Sequence, residues 1–296
     1  MIRVAMIQQC PPPGRQDSLA DVERQIRAAA HGGAHIAVFP ELYSPGFYAI
    51  IDRGNGETTL PAAFRERAES IPGNLTRSVG EMAKSVGIHV ILGMLEHDRA
   101  ANIYRNAAVL FAPNGEPIHT HRKTMLTPRI DEGIAPGNNY DVIDTAIGRI
   151  GILICADATC PEPARILALK GAEMIFLCSG DFHSSWMVGG KDLVEQIWQC
   201  SSASPSRAVD NALFWIAVNG AGVQNGTEFF GGSRVIAPDG EIIAQAPCGP
   251  DARTIVFADL DLNLRARVES TFPLMSRRRP ELYGLLVSSE FSHKPS

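Results

Sequence analysis

The sequence predicts an α/β protein in which two β-sheets pack together with helices outside. Three observations predict it. Strand-like and helix-like segments alternate through the first two thirds of the chain. The strand-like segments outnumber what one doubly wound sheet needs. Several of them are joined by hairpin signals, of which Pro113-Asn114-Gly115 is the clearest.

Residues 2–8 are apolar and β-branched, as a buried strand requires. Ser18-x-x-Asp21 resembles a capping box with Asp in place of Glu, so a helix is expected to start there. Leu19, Val22, Ile26 and Ala29 follow at helical spacing, and Gly32-Gly33 stops the helix. Residues 35–39 form a short apolar strand that Pro40 ends. A helix over 75–86 precedes a strand over 89–95, and strands over 107–111 and 117–121 flank the hairpin turn. Residues 149–155 read as a strand, and Pro161 suits the first turn of the next helix. That helix is expected to carry Ile166, Leu167 and Leu169 inward and to stop at Gly171. Strands follow over 173–177, 213–218, 232–236, 241–246 and 254–260, with Pro238-Asp239-Gly240 as a turn. Residues 192–211 are expected to be helical in part, interrupted by Pro205. A last helix covers 262–269, and the tail after Thr271 reads as irregular.

Composition narrows the function classes. The chain has 296 residues, 45% hydrophobic and 20% charged, with a formal net charge of −5. This balance speaks against nucleic acid as a partner, and the Arg277-Arg278-Arg279 run is expected to be a solvated or interface segment. No apolar run approaches the ~20 residues of a membrane span, and the first residues lack the apolar core of a secretory signal. The six cysteines are scattered, without C-x-x-C spacing or a companion His-x-x-x-His. They imply neither a disulfide framework nor a zinc site, and reduced thiols in the cytoplasm are the expectation.

Three local signals carry possible chemistry. Cys155 ends a strand about six residues before a helix, at the sheet edge where α/β proteins bind ligands. The nearby helix N-terminus is expected to favour its thiolate. Glu41 follows the Phe39-Pro40 end of another strand, where burial would raise its pKa toward that of a general base. Lys123, in His121-Arg122-Lys123-Thr124, follows a third strand and can offer an ammonium to a developing oxyanion. Taken singly, each has a bland reading as a buried thiol or a solvated loop charge.

Together, in this order, they resemble the nitrilase (carbon–nitrogen hydrolase) superfamily. The resemblance is carried by Phe39-Pro40-Glu41, His121-Arg122-Lys123 and Cys155-x-Asp157-x-x-x-Pro161-Glu162-x-x-Arg165 before Gly171-Ala172-Glu173. It continues through Arg207-Ala208-Val209-Asp210-Asn211, Val218-Asn219, Phe230-Gly231-Gly232-Ser233 and Pro238-Asp239-Gly240, and so spans about residues 2–262. It implies a four-layer α-β-β-α sandwich, a Glu41–Lys123–Cys155 triad, no metal or organic cofactor, and oligomers built from dimers. A single domain over 1–270 and a tail over 271–296 packing at a dimer interface are the corresponding expectations.

The resemblance also implies a second acidic residue before a Pro-Gly. Glu132 is the match, with Asp131 adjacent as the alternative. The backbone N–H of Ala156 would join Lys123 in holding the oxyanion. Tyr48, with Tyr43 and Phe47, would form a pocket wall, and Asp181 and His183 would meet substrate. Arg165 and Arg207 are open to two readings, a substrate carboxylate or structural ion pairs, and the long stretch 179–206 to capping the pocket or joining a dimer contact.

Nitrile-cleaving members carry Trp-Glu after the nucleophile, whereas Ala156-Asp157 stands here, closer to amidases and carbamoylases. The expected activity is therefore hydrolysis of a small amide or N-carbamoyl compound through a cysteine thioester, with release of ammonia. A nitrilase, an acyl transferase and a non-catalytic binding subunit of the same fold are the alternatives.

Overall fold

The computed structural model describes residues 1–11, 15–44, 46, 60–128, 130–224 and 226–288. Two six-stranded sheets form its centre. The first contains β1 (Ile2–Gln8), β2 (Ile36–Val38), β3 (His89–Asp98), β4 (Ile103–Phe111) and β5 (Pro117–Arg122). The second contains β6 (Val142–Thr145), β7 (Gly148–Ile154), β8 (Met174–Cys178), β9 (Phe214–Val218), β10 (Arg234–Ile236) and β11 (Ile242–Gln245). The last strand, β12 (Thr254–Leu260), returns to the first sheet and pairs antiparallel with β1. The orders are β12-β1-β2-β3-β4-β5 and β11-β10-β9-β8-β7-β6. In each sheet the three central strands run parallel and the outer pairings are antiparallel.

Strand alternation builds four layers. In β1, Val4 and Met6 face the second sheet, while Ala5 and Ile7 face helices, and all four are fully buried. Val4, Met6, Ile36, Val38, Ile152, Ile154, Phe176 and Ile216 share the inter-sheet core. Outside the first sheet lie α1 (Arg15–His31) and α2 (Asn74–Val86), which bury Val22, Ile26, Ala29, Val79 and Ala83. Outside the second lies α3 (Glu162–Leu169), with Ala164 and Leu167 against Ile175 and Trp215. A strand buried on both faces must be apolar throughout, which is why these strands read as continuous apolar runs.

Several expectations need correction. α1 begins at Arg15, so Ser18 lies inside the helix and is not its cap. Asp21 instead accepts hydrogen bonds from Arg24, Gln25, Tyr43 and Gln9. In α3 only Leu167 of the three expected residues is buried; Ile166 and Leu169 are 38% and 50% exposed. They lie on the outer face, in a groove shared with Tyr283, Leu286 and Val287 of the tail. Pro205 does not interrupt a helix but opens α5 (Pro205–Val209), after the one-and-a-half-turn α4 (Leu193–Ile197) and a π-turn at Trp198–Ser202. β6 and the first residues of β4 were not expected from pattern. The final helix, α6, covers Asn263–Thr271.

Candidate active site

Four chain segments end at the same edge of the sandwich. The first is the turn after β2. Glu41 and Leu42 lie directly against β3, where a Cβ on Gly93 would come 2.2 Å from the Pro40 carbonyl oxygen and 2.9 Å from the Glu41 Cα. Only glycine lets the turn approach this closely. Leu42 takes a left-handed backbone, φ 47°, to turn the chain.

Glu41 is 2% exposed. Its Oε1 accepts from Lys123 Nζ at 2.9 Å and from Asn106 Nδ2 at 2.6 Å, while Oε2 accepts no hydrogen bond among the described residues. Burial pushes the carboxyl above its ordinary range, and the Lys123 charge pulls against that rise. One carboxylate oxygen is thus anchored by two donors and the other is left open.

The second segment follows β5. Lys123, 1% exposed, places Nζ 2.9 Å from Glu41 Oε1 and 2.8 Å from Asp131 Oδ2. Burial disfavours its charge, but Glu41, Cys155 and Asp131 together raise its pKa well above the usual lysine value, so it is held as an ammonium. The acidic neighbour on the ammonium is therefore Asp131, not the Glu132 expected first. Asp131 also caps its own loop by accepting from the Thr127 N–H at 2.7 Å. That turn directs residue 131 inward and leaves Glu132 half-buried. Gly137 closes the loop: its N–H donates to the Lys123 carbonyl at 2.8 Å, and a Cβ there would lie 2.1 Å from the Arg122 carbonyl oxygen.

The third segment follows β7. Cys155 has φ 44°, a conformation that costs a non-glycine residue about 1–3 kcal/mol. It opens a 3-10 turn over Cys155–Ala158 that throws the thiol off the sheet edge. Asp157 holds this turn. Its carboxylate accepts from the N–H groups of Ile154 (2.9 Å), Thr124 (2.9 Å) and Met125 (2.8 Å), from the Thr124 hydroxyl (2.7 Å), and pairs with His121 Nε2 (2.8 Å). Burial alone would raise its pKa, but these partners outweigh it and hold it below the ordinary range. Asp157 thereby ties the thiol's turn to the segment that carries Lys123.

The fourth segment follows β8. Asp181 Oδ1 stands 3.7 Å from Cys155 Sγ, in hydrogen-bond range for a thiol. The Asp181 N–H donates to Asn219 Oδ1 at 2.8 Å, and its carbonyl accepts from Asn219 Nδ2 at 3.2 Å. Burial, Asp181 and Glu41 raise the Cys155 pKa well above the ordinary thiol value, with only Lys123 acting strongly in the other direction. The expected help of the helix N-terminus to the thiolate is thus opposed here: Asp181, Glu41 and Asp131 all raise the thiol's pKa, and Lys123 lowers it.

A cavity of about 70 Å³ opens over the thiol. Its polar lining includes Lys123, Cys155, Asp181, Thr127 and Thr159, and its apolar lining Ala156, Ile130, Phe182, Trp186, Val194 and Ile197. The stretch 179–206 therefore contributes one wall. His183 is not among the lining residues: it is 42% exposed and faces Asp192, Glu195 and Glu228 at 3.5–4.0 Å. Tyr48 and Phe47 lie outside the described residues. Tyr43 points into the core, bonded to Gln9 and Asp21. Arg207 donates to the Ala158 and Thr159 carbonyls and to Ser201, a hydrogen-bonded brace with no ion pair among the described residues, and Arg165 lies in the outer groove beside Met275.

Sequence reasoning missed Asn106 and the bracing role of Asp157. A polar residue inside a strand of apolar neighbours, Asn106-Ala107-Ala108-Val109, was a signal for the first.

The fold and the buried Glu–Lys–thiol arrangement define a hydrolase of the α-β-β-α sandwich class. A model of the carbon-nitrogen hydrolase family matches residues 3–269, and the chain belongs to that family. It is 28% identical over 298 residues to an omega-amidase, NIT2, of Danio rerio, with 96% of each chain covered. Among solved structures, a carbon-nitrogen hydrolase from Helicobacter pylori superposes with a TM-score of 0.81 at 25% identity, covering 97% of this chain and 98% of that one. Nit3 of Saccharomyces cerevisiae, a member of branch 10 of the nitrilase superfamily, does so with a TM-score of 0.76 at 26% identity, covering 94% and 96%.

Proposed function

We propose that this chain hydrolyses the C–N bond of a small amide through a thioester on Cys155, releasing ammonia. The observation that carries this reading is that a doubly paired Lys123 and the Cys155 thiol line one small cavity, with the buried Glu41 carboxylate hydrogen-bonded to that lysine. Glu41 Oε2 takes the thiol proton as sulfur attacks the carbonyl carbon. The Lys123 ammonium and the Ala156 N–H receive the oxyanion. Glu41 returns the proton to the departing nitrogen, then deprotonates the water that cleaves the thioester. Asp131 holds Lys123 in place and keeps it charged.

The elevated thiol pKa supports this order of events, because an amidase with a protonated resting thiol needs the adjacent base. N-carbamoyl compounds offer the same carbonyl and the same leaving ammonia, and remain the second substrate class. Ala156-Asp157, where nitrile-cleaving members carry Trp-Glu, favours both over nitriles, and the Asp157 carboxylate is committed to five hydrogen bonds from four residues. Ammonia release from a panel of simple amides, N-carbamoyl-amines and nitriles, with mass spectrometry of the Cys155 adduct, tests the reading. Turnover of nitriles alone, or none of any class, would sink it.

The same reading extends to assembly and location. Residues 1–270 act as one catalytic domain, and the tail 271–296 packs at a homodimer interface. The exposure of Leu285, Leu286 and Val287 (84%, 65% and 90%) beside Ile166 and Leu169 supports that role. All six cysteines are free, which supports a reducing cytoplasm. Among the described residues no helix is long and apolar enough to cross a membrane.

A further inference from the structure

The Cys155 thiol has two close carboxylate neighbours, and the chemistry above uses only Glu41. Asp181 is the other. Both of its main-chain groups are fixed by the Asn219 amide, which sets the backbone position from which its side chain reaches the thiol. Its Oδ1 is 3.7 Å from Sγ. Once sulfur has bonded to an acyl carbon, the substituents on that carbon lie beside Asp181.

The charges around this point are unbalanced. Glu41, Asp131 and Asp181 oppose one ammonium, and Lys123 already pairs with the first two at 2.9 and 2.8 Å. Among the described residues lining the cavity, Lys123 is the sole cation. The arginines that might have met a substrate carboxylate are elsewhere, Arg165 in the outer groove and Arg207 on main-chain carbonyls. His183, two residues beyond Asp181, faces its own acidic neighbours.

We infer that Asp181 selects the acyl group by charge: chains that are neutral or carry an amine are accepted, and chains ending in a carboxylate are turned away. This rests on the amidase reading and narrows it. A like charge brought beside a carboxylate in a partly buried site is repelled strongly enough to discriminate between acyl chains. Burial, then the Glu41 charge, pushes the Asp181 carboxyl up to about 7, with Lys123 and the Cys155 thiol pulling it back. The discrimination therefore grows as pH rises through that value and relaxes below it.

The test compares alkylation of Cys155 by iodoacetamide and by iodoacetate, read by mass on the Cys155 peptide. The rate ratio is normalised to that of a free thiol such as glutathione. Because both reagents need the same thiolate, changes in thiol reactivity cancel. The wild-type ratio should exceed the free-thiol ratio by about tenfold or more, equivalent to ~1.4 kcal/mol, and should increase from pH 6 to pH 8.5. Asp181→Asn and Asp181→Ser should bring it close to the free-thiol value, and either folded variant suffices. A wild-type ratio equal to that of glutathione at pH 8.5, or a ratio unchanged in a folded variant, overturns the proposal.

Turnover supplies the second arm, with butanamide, 3-aminopropanamide and the monoamide of butanedioic acid. Wild type should use the first two and discriminate against the third through KM; the variants should narrow that gap. Alkylation reads the site without turnover. An intact charge ratio with no ammonia from any amide would refute the amidase reading alone. A collapsed ratio with turnover intact would refute only the role of Asp181.

Discussion

The two sheets make opposite contributions to the site. The first supplies Glu41 and Lys123, both nearly inaccessible, locked by Asn106, Asp131 and the close seat on Gly93. The second supplies Cys155 and Asp181, both half-buried at the cavity, with the thiol on a left-handed turn. In the proposed reaction the first side would supply the base and the oxyanion cation, and the second the nucleophile on its strained turn. Proton transfer and oxyanion binding need groups that do not reorganise during reaction, whereas attack needs an accessible atom.

Removing the reactive side should have the largest effect. Cys155→Ala is expected to abolish ammonia release, a loss of about 10⁴-fold or more, with thermal unfolding little changed; activity within tenfold of wild type would end the assignment of the nucleophile. Glu41→Gln should lower kcat by roughly 10²–10⁴-fold. It should also speed alkylation of Cys155 near neutral pH, because the Glu41 charge is one of the groups that raise the thiol's pKa.

Lys123→Met attacks the rigid side and should be costly for stability as well. It strands two buried carboxylates, for which about 3–5 kcal/mol is the usual penalty, measurable by denaturant unfolding. A variant as stable as wild type would mean that the pairing with Glu41 and Asp131 contributes nothing.

Asn106→Leu should act more gently. Its amide favours the charged form of Glu41, so its loss raises the Glu41 pKa further. Glu41 must be ionised to accept a proton, so the acid limb of kcat/KM should move to higher pH. An unmoved limb would separate Asn106 from the base.

Truncation after Thr271 should have the smallest effect on chemistry. It removes the exposed Leu285–Leu286–Val287 surface, and light scattering should report a smaller assembly; an unchanged mass would leave the tail without that role.

Much of the first sheet's contribution was legible because Glu41 and Lys123 each follow a strand whose end the sequence marks, by Pro40 and by the hairpin that precedes β5. Cys155 was legible for the same reason. The choice between Asp131 and Glu132 was not, because side-chain direction in a loop follows hydrogen bonds such as Thr127 N–H to Asp131, which no periodicity encodes. The outward placement of Ile166 and Leu169 was misread because an apolar residue facing a groove and one facing a core look alike in sequence. β6 was missed because it is short and only partly buried, with little alternation. The raised pKa of the thiol was not legible for another reason: the carboxylates that raise it most, Asp181 and Glu41, come from other parts of the chain.

The bond set of Asp157 has a consequence of its own. Through it, a residue of the second sheet gathers Thr124 and Met125 from the far end of the first, while the Glu41 N–H reaches across to the Ser179 carbonyl. Neither half of the chain can assemble the reactive centre before the other has docked. An unfinished or partly unfolded chain therefore carries a thiol without the charges that surround Cys155 in the closed sandwich.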